Sequence, residues 1–141
     1  LPDYFSRVAA SAPGTPVLAY HYPGVAGAEV PVEALGSLPV QGLKDSSGDA
    51  ERLLLTLDAW SGWTYVGAAM LTSYAAVLGA AGAILAVANV APEDCLAAWG
   101  GDIAAQRRLL VPHLAARTRF PHGLKAEMAR RFGTPVTARI G

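Results

Sequence analysis

The chain has 141 residues, enough for one domain with a core and too few for two ordinary domains. Apolar residues make up 52% of it and charged residues 16%, and eleven basic side chains balance eleven acidic ones. This balance excludes a nucleic-acid binder that relies on a basic face, and it argues against an acidic disordered tail. The single cysteine, Cys95, cannot form an internal disulfide, so a reducing cytoplasm is favoured. The longest apolar runs end well before the ~18 residues that a membrane helix needs.

Short apolar runs alternate with helical stretches along the chain. Four apolar strands are predicted, at residues 15–22, 40–44, 63–67 and 82–87. Helices are predicted before, between and after them, at residues 1–12, 30–38, 50–60, 71–78, 92–99, 102–119 and 122–132. Asp49 is the expected N-cap of the helix at 50–60.

Strands that are each followed by a helix imply a parallel sheet with right-handed crossovers. The strands are apolar on both faces, as expected when helices cover one side and another layer fills the other. Four such units amount to half of an eight-unit barrel, which usually needs roughly 250 residues. An open flavodoxin-like sheet is the alternative, and the pattern of elements alone does not separate the two.

The segment at residues 40–49 reads VQGLKDSSGD and places Lys44 at the end of an apolar strand. Spacing alone favours a lysine that extends its ammonium group into solvent. The alternative is an amine nucleophile at a barrel mouth. A lysine ordinarily has a pKa near 10.4, so partial desolvation is needed before its neutral amine can attack a ketone and form a Schiff base.

A second segment, AYHYPG at residues 19–24, also lies at a strand end. Strand alternation places Tyr20 and Tyr22 on one face and His21 on the other. A tyrosine at a strand end is usually an amphipathic core residue, but beside a Schiff-base lysine it could transfer protons. His21 is the weaker candidate, because a lone histidine more often has a structural role.

These two segments resemble motifs of the dihydrodipicolinate synthase / N-acetylneuraminate lyase family of class I aldolases. Residues 20–23, YHYP, resemble the family's Tyr-Asn-x-Pro motif. Residues 44–49, KDSSGD, resemble its Lys-(Asp/Glu)-x-(Ser/Thr)-Gly-Asp segment, which carries the Schiff-base lysine. The segment at 82–90 resembles the last barrel strand, and the tail around 123–125 resembles the C-terminal helices.

The resemblance implies an α/β fold, the C-terminal half of a (β/α)8 TIM barrel followed by C-terminal helices. Residues 1–101 would hold strands five to eight of the barrel with their helices, and residues 102–141 a helical extension. The chain begins at Leu1 without a methionine, which suggests a fragment. The family's Gly-x-x-Gly-Glu loop, its Ser/Thr pair and its interface tyrosine have no counterpart here.

By the same resemblance, Lys44 forms an imine with pyruvate or another 2-oxo acid, and Tyr20 relays protons. Gly67 and Ile84 correspond to positions whose backbone lines the substrate pocket. The charged imine acts as the electron sink, so no metal and no cofactor is expected. The expected partners are a 2-oxo acid, an aldehyde and further copies of the protein in a tetramer or dimer, with no nucleic acid and no membrane.

The resemblance leaves the aldehyde substrate open. The family's dihydrodipicolinate synthases usually carry an arginine two residues after the motif proline, whereas Gly24 and Val25 follow Pro23 here. The segments at 86–90 and 119–125 look closest to 4-hydroxy-2-oxoglutarate aldolase-like members. A lyase of that kind is therefore the leading expectation, and a 4-hydroxy-tetrahydrodipicolinate synthase is the enzymatic alternative. A non-catalytic half-barrel that binds a 2-oxo acid or has a structural role is the alternative of another class.

Other notable residues are expected to be structural. Within the helix at 50–60, Leu53, Leu54 and Leu57 are expected to lie on the same face. Cys95 is expected to be a buried, inert thiol, and neither His113 nor His122 has metal-ligand spacing. Packing between the barrel and its helices is expected for Trp60, Trp63 and Trp99.

Overall fold

The computed structural model describes residues 1–137. Four strands form one parallel sheet in chain order: β1 (Leu18–His21), β2 (Gly42–Asp45), β3 (Trp63–Val66) and β4 (Gly82–Ala83). The predicted parallel order is thereby confirmed. In the register of the sheet, Lys44 lies between Tyr20 on one side and Tyr65 on the other.

Helices connect and follow the strands. The α-helices are α1 (Pro2–Ser11), α2 (Pro23–Ala26), α3 (Ala50–Ala59), α4 (Thr72–Val77), α5 (Pro92–Trp99), α6 (Ile103–Arg108), α7 (Leu110–Arg117) and α8 (His122–Phe132). Three 3₁₀ segments lie at Val32–Ser37, Ala69–Leu71 and Ala86–Asn89. The Asp49 carboxylate accepts a hydrogen bond from the Arg52 backbone N–H, which confirms the predicted cap of α3.

Three predicted elements differ from the structure in length, helix type or continuity; in addition, β1 and β2 differ from their predicted bounds by a few residues, and the short helix α2 was not predicted. The fourth strand is only two residues long, and the chain enters a 3₁₀ turn at Ala86 instead of continuing to residue 87. The segment predicted as a helix at 30–38 is a 3₁₀ helix over Val32–Ser37. The helix predicted at 102–119 divides at Leu109 into α6 and α7. Pro112 explains this division, because proline lacks an N–H and is tolerated only in the first turn of a helix.

The two faces of the sheet have different surroundings. Alternate strand residues are buried beneath the helices: Ala19, His21, Leu43, Asp45, Thr64 and Val66. The other face, which we call the open face, carries Leu18, Tyr20, Lys44, Trp63 and Tyr65. Trp63 is 47% exposed there, so the prediction that it packs against the helices is wrong. Its position in the alternation places it on the same face as Lys44.

Buried side chains form three apolar clusters between the sheet and the helices. One lies beneath β1 and β2 and includes Phe5, Leu35 and Leu43, with Trp60 packed against it. A second is built from Leu53, Val66, Ala75 and Ala80, with Leu57 and Trp99 packed against it. The predictions for Trp60, Trp99, Leu53 and Leu57 are confirmed. Leu54 is 47% exposed, so the prediction that it shares a face with Leu53 and Leu57 is wrong.

The third cluster joins the end of the sheet to the C-terminal helices. It includes Leu85, Val87, Cys95, Leu109 and Leu124. Burial and then the Asp94 carboxylate raise the pKa of the Cys95 thiol, as the prediction of a buried, unreactive cysteine requires. Residues 138–141 of the predicted extension lie outside the described residues. Within residues 1–137, no helix is long and apolar enough to cross a bilayer.

Candidate active site

Lys44 and Tyr20 face each other on the open face, near the carboxyl ends of two neighbouring strands. They are register partners in β1 and β2, and Lys44 Nζ lies 4.2 Å from the centroid of the Tyr20 ring. β2 extends one residue further than predicted, so Lys44 is its penultimate residue. Tyr20 is 51% exposed. The structure therefore places an ammonium group against an aromatic face that solvent can reach.

Strand alternation separates Tyr20 and Tyr22 from His21, as predicted. The rings of Tyr20 and Tyr22 are 5.9 Å apart between centroids. His21 is only 2% exposed, and its Nδ1 accepts a hydrogen bond of 3.1 Å from the Val30 backbone N–H. Burial, and next the Arg52 guanidinium, hold the pKa of His21 below its ordinary value. His21 is therefore a buried structural histidine.

Ser46 brings a further hydroxyl group to the site, and this residue was not among those predicted from the sequence. Its Oγ donates a hydrogen bond of 3.4 Å to the hydroxyl oxygen of Tyr20. Its backbone N–H donates to the His21 carbonyl oxygen across the two strand ends. The only sequence signal was a serine two residues after Lys44, in a turn where serines are common.

Gly67 follows β3 and lies directly against the Lys44 segment. Its N–H donates a hydrogen bond of 2.6 Å to the Asp45 carbonyl oxygen. A Cβ at this position would overlap Ser46 Oγ and would lie 3.1 Å from that carbonyl oxygen. The residue is therefore a glycine because of a close approach between chain segments.

Ile84 lies immediately after β4, and its side chain is exposed. Its N–H donates a hydrogen bond of 2.9 Å to the Val66 carbonyl oxygen, which extends the ladder between β3 and β4. Two strands separate Ile84 from β1, where Tyr20 lies. The backbone N–H groups of Gly67 and Ile84 are both occupied within the sheet, so a substrate would contact these residues through other atoms.

A buried ion pair lies beneath the candidate site. Arg52 Nε donates to Asp45 Oδ2 at 2.8 Å, and Arg52 Nη2 donates to the Val30 carbonyl oxygen at 2.6 Å. The second carboxylate oxygen of Asp45 accepts the Ser47 backbone N–H at 2.8 Å. This pair was not predicted from the sequence. Its one signal was a cation in the first turn of α3, where the helix dipole disfavours positive charge.

The described part of the chain holds no group of three or more His, Cys, Asp or Glu side chains placed to bind a metal ion. The chemistry that the site offers comes from one primary amine and two neighbouring hydroxyl groups. These are the Nζ of Lys44 and the hydroxyls of Tyr20 and Ser46. An amine beside a phenol is suited to nucleophilic attack assisted by proton transfer.

A parallel sheet with the candidate residues at its carboxyl end is typical of a (β/α) barrel. Comparison with a solved structure supports the assignment of the chain to this class of fold. The chain superimposes with a TM-score of 0.79 on a crystal structure from Thermus thermophilus, of a protein provisionally assigned as a dihydrodipicolinate synthase. The two chains are 29% identical, and the match covers 96% of this chain and 51% of the other. The predicted fold, half of a TIM barrel with C-terminal helices, is confirmed.

Sequence comparison identifies the family. Residues 1–130 match the Dihydrodipicolinate synthetase family, and the chain belongs to that family. It is 38% identical over 117 residues to a 4-hydroxy-tetrahydrodipicolinate synthase of Thermus thermophilus, a match that covers 75% of this chain and 39% of the relative. It is also 40% identical over 96 residues to an uncharacterized DapA-like lyase of Halobacterium salinarum. That match covers 64% of this chain and 31% of the relative. The chain thus spans well under half the length of these curated relatives.

Proposed function

We propose that this chain carries the imine-forming half of a class I aldolase or lyase that acts on pyruvate or a related 2-oxo acid. Lys44 is the nucleophile, and Tyr20 is the proton relay. The observation that carries the proposal is the placement of Lys44 Nζ 4.2 Å from the Tyr20 ring, on the exposed face of a parallel sheet. Family membership supports it, because the two segments that resemble the family's motifs, residues 20–23 and 44–49, contain Tyr20 and Lys44.

In the proposed reaction, the neutral amine of Lys44 attacks C2 of the 2-oxo acid, and the carbinolamine loses water to form a protonated imine. C3 then loses a proton, and the imine nitrogen takes up the electron pair as an enamine forms. C3 of the enamine attacks the aldehyde carbon, whose oxygen takes up a proton, and water finally hydrolyses the imine to restore the amine. The Tyr20 hydroxyl donates and accepts these protons. The charged imine withdraws the electron pair, so the proposal includes no metal and no cofactor.

Gly67 and Ile84 are proposed as the positions whose backbone borders the 2-oxo acid. For Gly67, the support is its contact with the turn that follows Lys44. For Ile84, the support is its exposed position at the carboxyl end of β4, on the edge of the sheet.

Two aldehydes are candidates for the second substrate. The leading proposal is a 4-hydroxy-2-oxoglutarate aldolase-like reaction, which releases or consumes glyoxylate. It is favoured because residues 20–30 contain no arginine or lysine that could hold a carboxylate on a longer aldehyde. The alternative is condensation with aspartate semialdehyde. It is favoured by the relative named 4-hydroxy-tetrahydrodipicolinate synthase.

Borohydride trapping tests the imine directly. The full-length gene product is incubated with pyruvate, reduced with borohydride and mapped by peptide mass spectrometry. We expect a reduced pyruvyl adduct on the peptide that contains Lys44, and no adduct on that peptide in the Lys44→Arg variant. Lys125, the only other lysine of this sequence, lies in α8, so Lys125→Arg is the matched control and keeps the adduct. A folded protein without an adduct would make the non-catalytic half-barrel the better reading.

Turnover assays then separate the two aldehydes. Cleavage of 4-hydroxy-2-oxoglutarate to pyruvate and glyoxylate supports the leading proposal, whereas condensation of pyruvate with aspartate semialdehyde supports the alternative. Lys44→Ala should abolish whichever activity is found. Full activity in that variant would eliminate imine catalysis at this position.

The remaining parts of the proposal concern the whole protein. We propose that residues 1–101 act as the second half of the barrel and residues 102–141 as a helical extension. The exposed apolar side chains of the open face, such as Leu18 and Trp63, support a complementary half-barrel over this face. A homo-oligomer, a tetramer or dimer, is proposed from family membership. A reducing cytoplasm is proposed because the only cysteine is buried and free.

A further inference from the structure

A chain of buried and partly buried hydrogen bonds connects the two strand ends that carry Tyr20 and Lys44. On the β1 side, His21 accepts a hydrogen bond from the Val30 N–H. The Val30 carbonyl oxygen accepts one from Arg52, whose Nε also binds the carboxylate of Asp45 at the end of β2. The Ser46 N–H closes the ring by donating to the His21 carbonyl oxygen at 2.9 Å. We call this set the clamp.

The side chains of the clamp, those of His21, Asp45 and Arg52, lie on the opposite face of the sheet from Tyr20 and Lys44. In the sequence, His21 follows Tyr20 directly, and Asp45 follows Lys44 directly. Because successive strand residues point to opposite faces, the clamp holds the backbone from which both functional side chains extend. Any shift between the ends of β1 and β2 would change the contact between the Lys44 amine and the Tyr20 ring.

Arg52 is the residue on which the clamp depends. Within the clamp, only its guanidinium joins two separate segments through its own side chain: it binds the Asp45 carboxylate at the end of β2 and the Val30 carbonyl oxygen in the loop after α2. The Asp45 side chain is 5% exposed and that of Arg52 is 15% exposed, so the pair is largely shielded from water. Loss of Arg52 would leave a buried carboxylate without its counter-ion and the Val30 carbonyl oxygen without this donor.

We propose that Arg52 is a positioning residue for the reaction: through Asp45 and Val30 it sets the distance between Lys44 and Tyr20. This inference rests on the proposed function of those two residues. It predicts that removal of Arg52 impairs the steps in which amine and phenol act together. Misplacement of reacting groups by about 1 Å can cost on the order of 100-fold in rate.

A double-mutant cycle between Arg52 and Tyr20 tests this role in the full-length gene product. Arg52→Met is measured in the presence of Tyr20 and in a Tyr20→Phe background. In the first, kcat should fall about 10- to 100-fold, and in the second by less than about 3-fold, because the relay is already absent. A merely structural role would lower kcat by the same factor in both backgrounds.

Two conservative changes and one control complete the design. Arg52→Lys keeps the charge but lacks the fork that reaches both partners, so its kcat should lie between those of wild type and Arg52→Met. If Arg52→Met does not fold, the pair Asp45→Asn with Arg52→Gln replaces it in the cycle, because an amide donor and acceptor remain and no buried charge is left unpaired. Arg108→Met removes an ion pair with Asp94 on the exposed surface and should leave kcat unchanged.

The outcomes separate this inference from the proposed function. If wild type forms the Lys44 adduct and Arg52 and Tyr20 act non-additively, the positioning role is supported. Two results would show that the positioning role is wrong while the proposed function stands, provided that wild type forms the adduct. In one, the fold-losses in kcat of Arg52→Met and Tyr20→Phe multiply in the double variant; in the other, Arg52→Met does not change kcat. If wild type forms no adduct, both are wrong.

Discussion

Gly67→Ala is the substitution for which the structure makes the most detailed prediction. The added methyl carbon would overlap Ser46 Oγ, and it would lie 3.0 Å from Ser46 Cβ and 3.1 Å from the Asp45 carbonyl oxygen. The hydroxyl can rotate away, but the Asp45 carbonyl oxygen cannot, because it accepts the Gly67 N–H within the sheet. The backbone must therefore shift by a few tenths of an ångström. Overpacking of this kind costs about 1–3 kcal/mol of stability.

The same substitution affects the candidate site. Rotation of Ser46 removes its hydrogen bond to the Tyr20 hydroxyl, and a hydrogen bond of this kind contributes about 0.5–1.5 kcal/mol. If that contribution is fully expressed in the transition state, kcat falls about 2- to 13-fold. Ser46→Ala loses the hydrogen bond without the overlap, so it should show the same fall in kcat with little loss of stability.

Urea unfolding followed by tryptophan fluorescence measures the stability of each variant, and steady-state turnover measures its activity. Gly36→Ala is the matched control, because a Cβ at that position in the 3₁₀ helix Val32–Ser37 meets no atom within 4 Å. A Gly67→Ala protein as stable and as active as Gly36→Ala would refute the close approach of β3 to the Lys44 segment.

Three further predictions concern stability. The pKa of His21 is lowered by folding, so the unfolded chain binds a proton more readily below about pH 6.5. Stability should therefore fall as the pH drops below that value towards the lowered folded pKa, and urea midpoints at pH 7 and 5 should differ less in His21→Asn. Asp49→Ala removes the N-cap of α3 and should lower the free energy of unfolding by about 1 kcal/mol. Asp58→Ala, at the other end of that helix, should not lower it. Leu53→Ala should cost about 2–5 kcal/mol and the exposed Leu54→Ala less than about 0.5 kcal/mol; equal costs in urea unfolding would contradict the burial pattern.

Local signals in the sequence were sufficient for the number and parallel order of the strands, whereas the pairing of Tyr20 with Lys44 was expected from the resemblance of their two segments to family motifs. Apolar runs separated by helical stretches predict a parallel sheet, and the alternation of side chains places His21 away from Tyr20. The boundaries were less predictable. No Gly or Pro marks the early end of β4, and the run of apolar residues from 83 to 88 has the composition of a strand.

The parts of the site that escaped prediction are those formed by residues distant in sequence. Arg52 contacts Val30, 22 residues earlier, and Gly67 lies against a serine that comes 21 residues before it. Periodicity describes which face of an element a residue occupies, but it carries no information about which loop packs against that element. The unusual position of Arg52 did hold a usable signal. A cation in the first turn of a helix is unfavourable unless a carboxylate compensates it, and Asp45, at the end of the preceding strand, supplies that carboxylate. A basic residue against the helix dipole is therefore a reason to look for a buried acidic partner near the preceding strand end, the same edge of a parallel sheet where substrates bind.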